Sequence, residues 1–97
     1  MKNKTLWIAC FEKIGPKKDF QNYFFYARLA IKKYKVKIRF ASNHIIKLEG
    51  KKFKRIVCLE FNNQSSAKKF FNSPEYCRAK KFLKNDQSVR NLNLLNI

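Results

Sequence analysis

The sequence predicts an α+β fold in the order β-α-β-β-α-β, with one antiparallel sheet carrying its helices on a single face. Three observations predict it. Short apolar runs at residues 5–11, 36–40 and 53–61 have strand character, a helical stripe separates the first two, and two short helical segments follow the third. With 97 residues, 45% of them hydrophobic and 15% aromatic, the chain has material for one core and therefore one domain over residues 1–97.

Residues 5–11 are apolar on both alternating faces, as in a strand covered on both sides. Gly15 and Pro16 punctuate the chain, and Asp19 favours the positive end of a helix. Phe20, Tyr23, Phe24, Ala27, Ile31 and Tyr34 then recur at helical spacing as a buried stripe, while Phe25, Tyr26 and Leu29 add apolar surface beyond it. Val36, Ile38 and Phe40 alternate with Lys37 and Arg39, the pattern of a half-exposed strand. Residues 45–49 extend that ribbon to a hairpin tip at Gly50, Lys51 and Lys52, and a third strand runs over residues 53–61. Asn63 to Ser66 offer helix caps before Ala67, Phe70 and Phe71. Ser73 caps a further helix with Pro74 in its first position, and Tyr76, Ala79, Phe82 and Leu83 face inward. After Asn85 and Asp86, residues 89–97 form the last strand.

This is the ferredoxin-like split βαβ plan. In a monomer of that plan the second sheet face meets water and alternates to polar residues, yet strands one and three are apolar on both faces. A homodimer with its sheets packed face to face, a dimeric α/β barrel, satisfies the pattern. The expected core comprises Trp7, Ile8, Phe11, Phe24, Ala27, Ile31, Ile38, Val57, Leu59, Phe61, Phe70 and Phe71.

Net charge is +17, from 23 basic and six acidic residues. Eighteen of the 23 are Lys, spread in pairs along the chain, whereas bidentate phosphate and base recognition favours Arg. Lys, Asn, Ile and Phe account for 46 of the 97 residues, the signature of A/T-rich codons. The basicity reads as a solvated lysine coat. Uncharged residues 5–11 are too few for a bilayer span, with Glu12 and Lys13 closing the run, and no small-residue cleavage site follows. Cys10, Cys58 and Cys77 are odd in number and widely spaced, which argues against a disulfide framework and places the protein in the reducing cytoplasm. One histidine and scattered thiols and carboxylates supply no metal-ligand spacing, so neither metal nor cofactor is expected.

Leu48-Glu49-Gly50, the run from Arg55 to Phe61, and Ala67 to Tyr76 with its Asn-Ser-Pro-Glu-Tyr segment resemble the domain-of-unknown-function family 1330, as does the opening Leu6-Trp7-Ile8-Ala9. The resemblance spans nearly the whole chain. It implies a ferredoxin-like protomer of the dimeric α/β-barrel superfamily, some branches of which are cofactor-independent monooxygenases, haem-degrading enzymes or isomerases. The chain departs from the family pattern at Lys35-Val36, where a Gly-Gly pair is usual, at Ala41-Ser42-Asn43 in place of Arg-Gly-Gly, at Phe53 for Trp and at Leu83 for Arg.

Three functional readings follow. The first is a small-molecule site between sheet and helices, drawing on Glu60, Arg39, His44 and Tyr23, with Tyr26 and Tyr76 nearby; no catalytic set is recognisable in it. A carboxylate in an apolar strand is costly unless paired, so Glu60 is either a site residue or the partner of Arg39 or Arg55. The second is an RNA-recognition module of the same topology. It is disfavoured because Ile56 and Cys58 stand where aromatic residues would stack bases, although Trp7 offers a possible platform. The third is a non-catalytic structural dimer.

Overall fold

The computed structural model describes residues 4–83 and 87–97. Its elements are β1 (Thr5–Lys13), α1 (Lys17–Lys33), β2 (Lys37–Ser42), β3 (Arg55–Phe61), α2 (Gln64–Phe71), α3 (Pro74–Lys80) and β4 (Val89–Asn96). The strands lie in the order β2-β3-β1-β4, every neighbouring pair antiparallel. β1 and β2 therefore run parallel with β3 between them, as do β3 and β4 around β1. That is the ferredoxin-like interleaving of two βαβ units. Asn85 and Asp86, expected to turn the chain before β4, lie outside the described residues.

Alternation along β1 decides which side is core. Thr5, Trp7, Ala9 and Phe11 are buried under the helices, while Leu6, Ile8, Cys10 and Glu12 are half-buried on the outer face. The register matches inner residues to inner residues, Trp7 to Leu59 and Ala9 to Val57, and outer to outer, Ile8 to Cys58 and Cys10 to Ile56. Trp7 meets Phe70 and Tyr76 edge-on at 5.5 and 5.2 Å between ring centres, contacts each contributing about 0.5–1.5 kcal/mol beyond burial. Ala27, Ala30, Ala67 and Ala79 are all buried, and these small side chains let α1, α2 and α3 approach the sheet and one another closely.

Both short helices begin as expected. The Asn63 side chain accepts from the Ser66 amide, and the Ser73 hydroxyl accepts from the Tyr76 amide with Pro74 in the first turn. Helix α1 starts after Pro16, without a side-chain cap, and ends in a Schellman motif. There the Lys35 amide donates to the Lys32 carbonyl at 3.3 Å and the Val36 amide to the Ile31 carbonyl at 3.0 Å, with Lys35 left-handed at φ 53°.

Several expectations need correction. Residues 45–49 form no ribbon, and β3 begins at Arg55 instead of residue 53, because no strand is available to pair with that segment; Ile46 and Leu48 are almost fully exposed. Ile8 lies half-buried on the outer face. Phe24 and Ile38, placed in the core from their spacing, are 40% and 51% exposed, since α1 overhangs the edge strand β2 and has more apolar surface than the sheet can cover. Phe82 and Leu83 lie just past the end of α3 and are half-buried. No helix among the described residues is long and apolar enough to cross a membrane.

Candidate functional site

Helix α1 lays Tyr23, Ala27 and Ile31 over the inner face of the sheet, and α3 brings Tyr76 beneath Trp7. Between them is a cavity of about 80 Å³ with almost wholly apolar walls, including Trp7, Phe11, Ala27, Leu59 and the rings of Tyr23 and Tyr76. Beside it, between α1 and β2, runs an open groove of about 610 Å³ with Phe25, Leu29 and Val36 on its walls. Phe24, Ile31 and Ile38 line both spaces and form the partition. The Phe24 ring lies between two guanidinium groups, Arg55 at 5.3 Å and Arg28 at 5.6 Å from its centre, so the partition is ringed by positive charge.

Polar chemistry is concentrated where the cavity-wall residues Tyr23 and Tyr76 meet Arg90, which stands behind them and is not itself a wall of the cavity. Tyr23 and Tyr76 hydroxyls are 3.0 Å apart, and Arg90 Nη1 donates to Tyr76 at 2.7 Å and to Tyr23 at 3.2 Å. Register puts Arg90 there: it pairs with Phe11 and so shares the inner face with Trp7 and Ala9. Its guanidinium also sits over the rings of Phe11, Tyr23 and Tyr76. Burial pushes the Tyr76 hydroxyl well above its ordinary pKa, keeping it protonated. Burial alone would lower the Arg90 pKa, but the two tyrosine oxygens outweigh it and raise it, so the group remains a cation. Among the described residues no carboxylate pairs with Arg90. Arg90 is the one site residue that the sequence reading missed. A signal existed: it is the only charged residue from 87 to 97, the same criterion that singled out Glu60.

The four residues expected to share a site are not brought together. Arg39 and Glu60 form an ion pair at 2.8 Å on the outer face of the sheet, away from the cavity. The Arg39 hydrogen bond holds the Glu60 carboxyl below the usual carboxylate range. His44 lies exposed in the loop between β2 and β3, with its backbone amide donating to the Ser42 hydroxyl. Only Tyr23 lines the cavity. Tyr26 stacks on Phe82 instead, with ring centres 5.6 Å apart.

On the outer face, Leu6, Ile8, Cys10, Ile56 and Cys58 form an apolar centre. The Arg39–Glu60 pair flanks it at one end, and Glu12 with Lys51 and Asn91 at the other. Burial raises the pKa of both the Cys10 and Cys58 thiols, which leaves them poor nucleophiles. Trp7, considered as a base-stacking platform, is buried on the opposite face. No group of three His, Cys, Asp or Glu residues able to hold a metal occurs among the described residues.

Known structures share this architecture. A protein of unknown function from Rhodopseudomonas palustris superposes with a TM-score of 0.72 at 10% identity, covering 100% of this chain and 82% of that one. A dimeric protein of unknown function and ferredoxin-like fold from Bacteroides fragilis is similar at a TM-score of 0.61 and 18% identity, over 97% and 96% of the two chains. A cofactor-independent oxygenase from Streptomyces nogalater, SnoaB, is similar at 0.64 and 9% identity, over 98% and 92%. At these identities the likeness is one of fold. No curated protein matches the chain in sequence. The model of the domain of unknown function DUF1330 matches residues 4–96, essentially the entire fold with its cavity and outer face, and the chain belongs to that family.

Proposed function

We propose that the protein is a homodimer, its two sheets facing each other across their outer faces, in which each protomer binds a small organic ligand in the cavity between sheet and α1. The observation that carries the binding function is an apolar cavity with few polar wall residues, Arg55 and the pair Tyr23 and Tyr76, whose hydroxyls meet at Arg90 behind them, the usual makeup of a small-molecule site. The dimer is supported by the apolar centre of the outer face and by the dimeric Bacteroides fragilis protein of the same fold. Three free thiols suit a reducing cytoplasm.

Light scattering behind size exclusion, at low and high salt, tests the assembly. A salt-independent mass of twice 11.6 kDa is expected, and Ile8→Asp should give the monomer; a monomeric parent overturns the dimer. Nucleic-acid absorbance that travels with the protein at low salt would instead assign the lysine coat to RNA. Titration with nitrobenzene, followed by amide NMR, tests the cavity. Saturable shifts should centre on Trp7, Ala27 and Leu59. Scattered or unsaturable shifts would remove the ligand site.

A further inference from the structure

We propose that Tyr23 is the hydrogen-bond donor to the ligand, and that the cavity takes planar aromatic or enolic compounds bearing an acidic hydroxyl, held as the oxyanion. This rests on the cavity being a ligand site and names the class it selects.

The hydrogen-bond inventory of the cluster carries the inference. Two phenols supply two protons and Arg90 supplies the other donor. Arg90 donates to both oxygens, and the 3.0 Å contact between the phenols consumes one phenol proton. Tyr76 is 1% exposed and has no other acceptor among the described residues, so its proton goes to Tyr23. The Tyr23 proton then has no acceptor among the described residues. Tyr23 is also the partly exposed member of the pair and a wall of the cavity. Its oxygen accepts from a cation and from a second phenol, and both polarise its own O–H into a stronger donor.

Such a donor stabilises a negative oxygen more than a neutral one, in the manner of an oxyanion hole. The described residues give the Arg90 cation no carboxylate, and although it stands behind the cavity wall its charge reaches a ligand oxyanion through the Tyr23 hydroxyl it donates to. Arg28 and Arg55 at the Phe24 partition add potential of the same sign. The remaining walls are aromatic or aliphatic, with Trp7, Phe11, Phe20 and Phe24 suited to a flat ring, and a ring larger than the cavity requires the Phe24 side chain to swing aside and open the partition to the groove. On binding, the ligand hydroxyl releases its proton to bulk water, and the oxyanion accepts the Tyr23 hydrogen bond. No bond other than O–H is broken.

The test compares nitrobenzene with a nitrophenol that ionises near neutral pH, using the full chain. Bound nitrophenol should show the absorbance of its anion below the pH at which it ionises in buffer. The nitrophenolate should bind about tenfold to a hundredfold more tightly than nitrobenzene, the range for a hydrogen bond to a charged group. Tyr23→Phe keeps the net charge and ring shape, and should remove that preference, so that the two probes bind the variant equally. Tyr76→Phe should remove part of it. Equal affinities for the two probes, or a preference that survives Tyr23→Phe, overturn the proposal and leave the cavity reading standing. If neither probe binds, both readings fall.

Discussion

The Tyr34 hydroxyl donates to the Glu75 carboxylate at 2.8 Å, joining the C-terminal end of α1 to the first turn of α3. Lys33 forms an ion pair with the other carboxylate oxygen. Through this one side chain, two helices that are distant in sequence are tied at the rim of the core. Because Ser73 and Tyr76 belong to the same turn, the tie also steadies the tyrosine at the cavity.

The tie predicts an acid limb of stability. Lys33 and then Tyr34 hold the Glu75 carboxyl at about 2, below its ordinary 4.5. A depressed pKa means that the ionised form favours the fold above pH 4.5 and that this contribution disappears as pH falls towards 2. Glu12 and Glu60 are also lowered and share the effect. Glu75→Gln should lower the melting temperature at neutral pH and flatten its decline below pH 4.5. Melting curves of parent and variant that stay parallel to the acid end would refute the assignment.

Lys35 occupies the left-handed position that closes α1, where a side chain costs about 1 kcal/mol relative to glycine. Lys35→Gly should therefore raise stability by up to about 1 kcal/mol, read as a higher urea midpoint at unchanged slope. A lower midpoint would mean that the Lys side chain has a role in the folded state.

Phe70 is 1% exposed and touches Trp7, Tyr34, Phe61 and Tyr76. Phe70→Ala should cost about 3–5 kcal/mol, a large share of the stability of a domain this size. Denaturation followed through Trp7 fluorescence checks it. A loss below about 1 kcal/mol would show that the aromatic cluster can collapse into the space.

Arg39 and Glu60 stand together on the outer face, so removing either one leaves a charge without its partner. Glu60→Leu should melt below the parent, whereas Arg39→Leu/Glu60→Leu should recover most of the loss. If Glu60→Leu alone melts higher, the carboxylate is kept for a purpose other than stability.

Much of this was legible in the sequence because two periodicities, 2 along the strands and about 3.6 along α1, each marked a buried face. Trp7, Phe11, Leu59 and Phe70 were found that way. Phe24 and Ile38 were not, because apolar periodicity marks a face without saying how far the neighbouring layer extends, and β2 is an edge strand only six residues long. The site was less legible still. Tyr23 was singled out, but grouping it with Glu60 required the two to share a sheet face, which only register decides. The same dependence hid Arg90, whose role follows from its pairing with Phe11.

The alternation along β1 has a further consequence for how this chain tolerates change. Neighbouring positions answer to different demands, Trp7 and Ala9 to folding of the protomer, Leu6 and Ile8 to the surface that protomer presents. Inserting or deleting a single residue within β1 would exchange the two sets on one side of the change, carrying the indole out of the core or bringing Ile8 into a space shaped for a larger ring. Substitutions in this strand can be judged one at a time, but changes of length cannot. The strand is a ruler, and α1, α3 and the cavity are all measured from it.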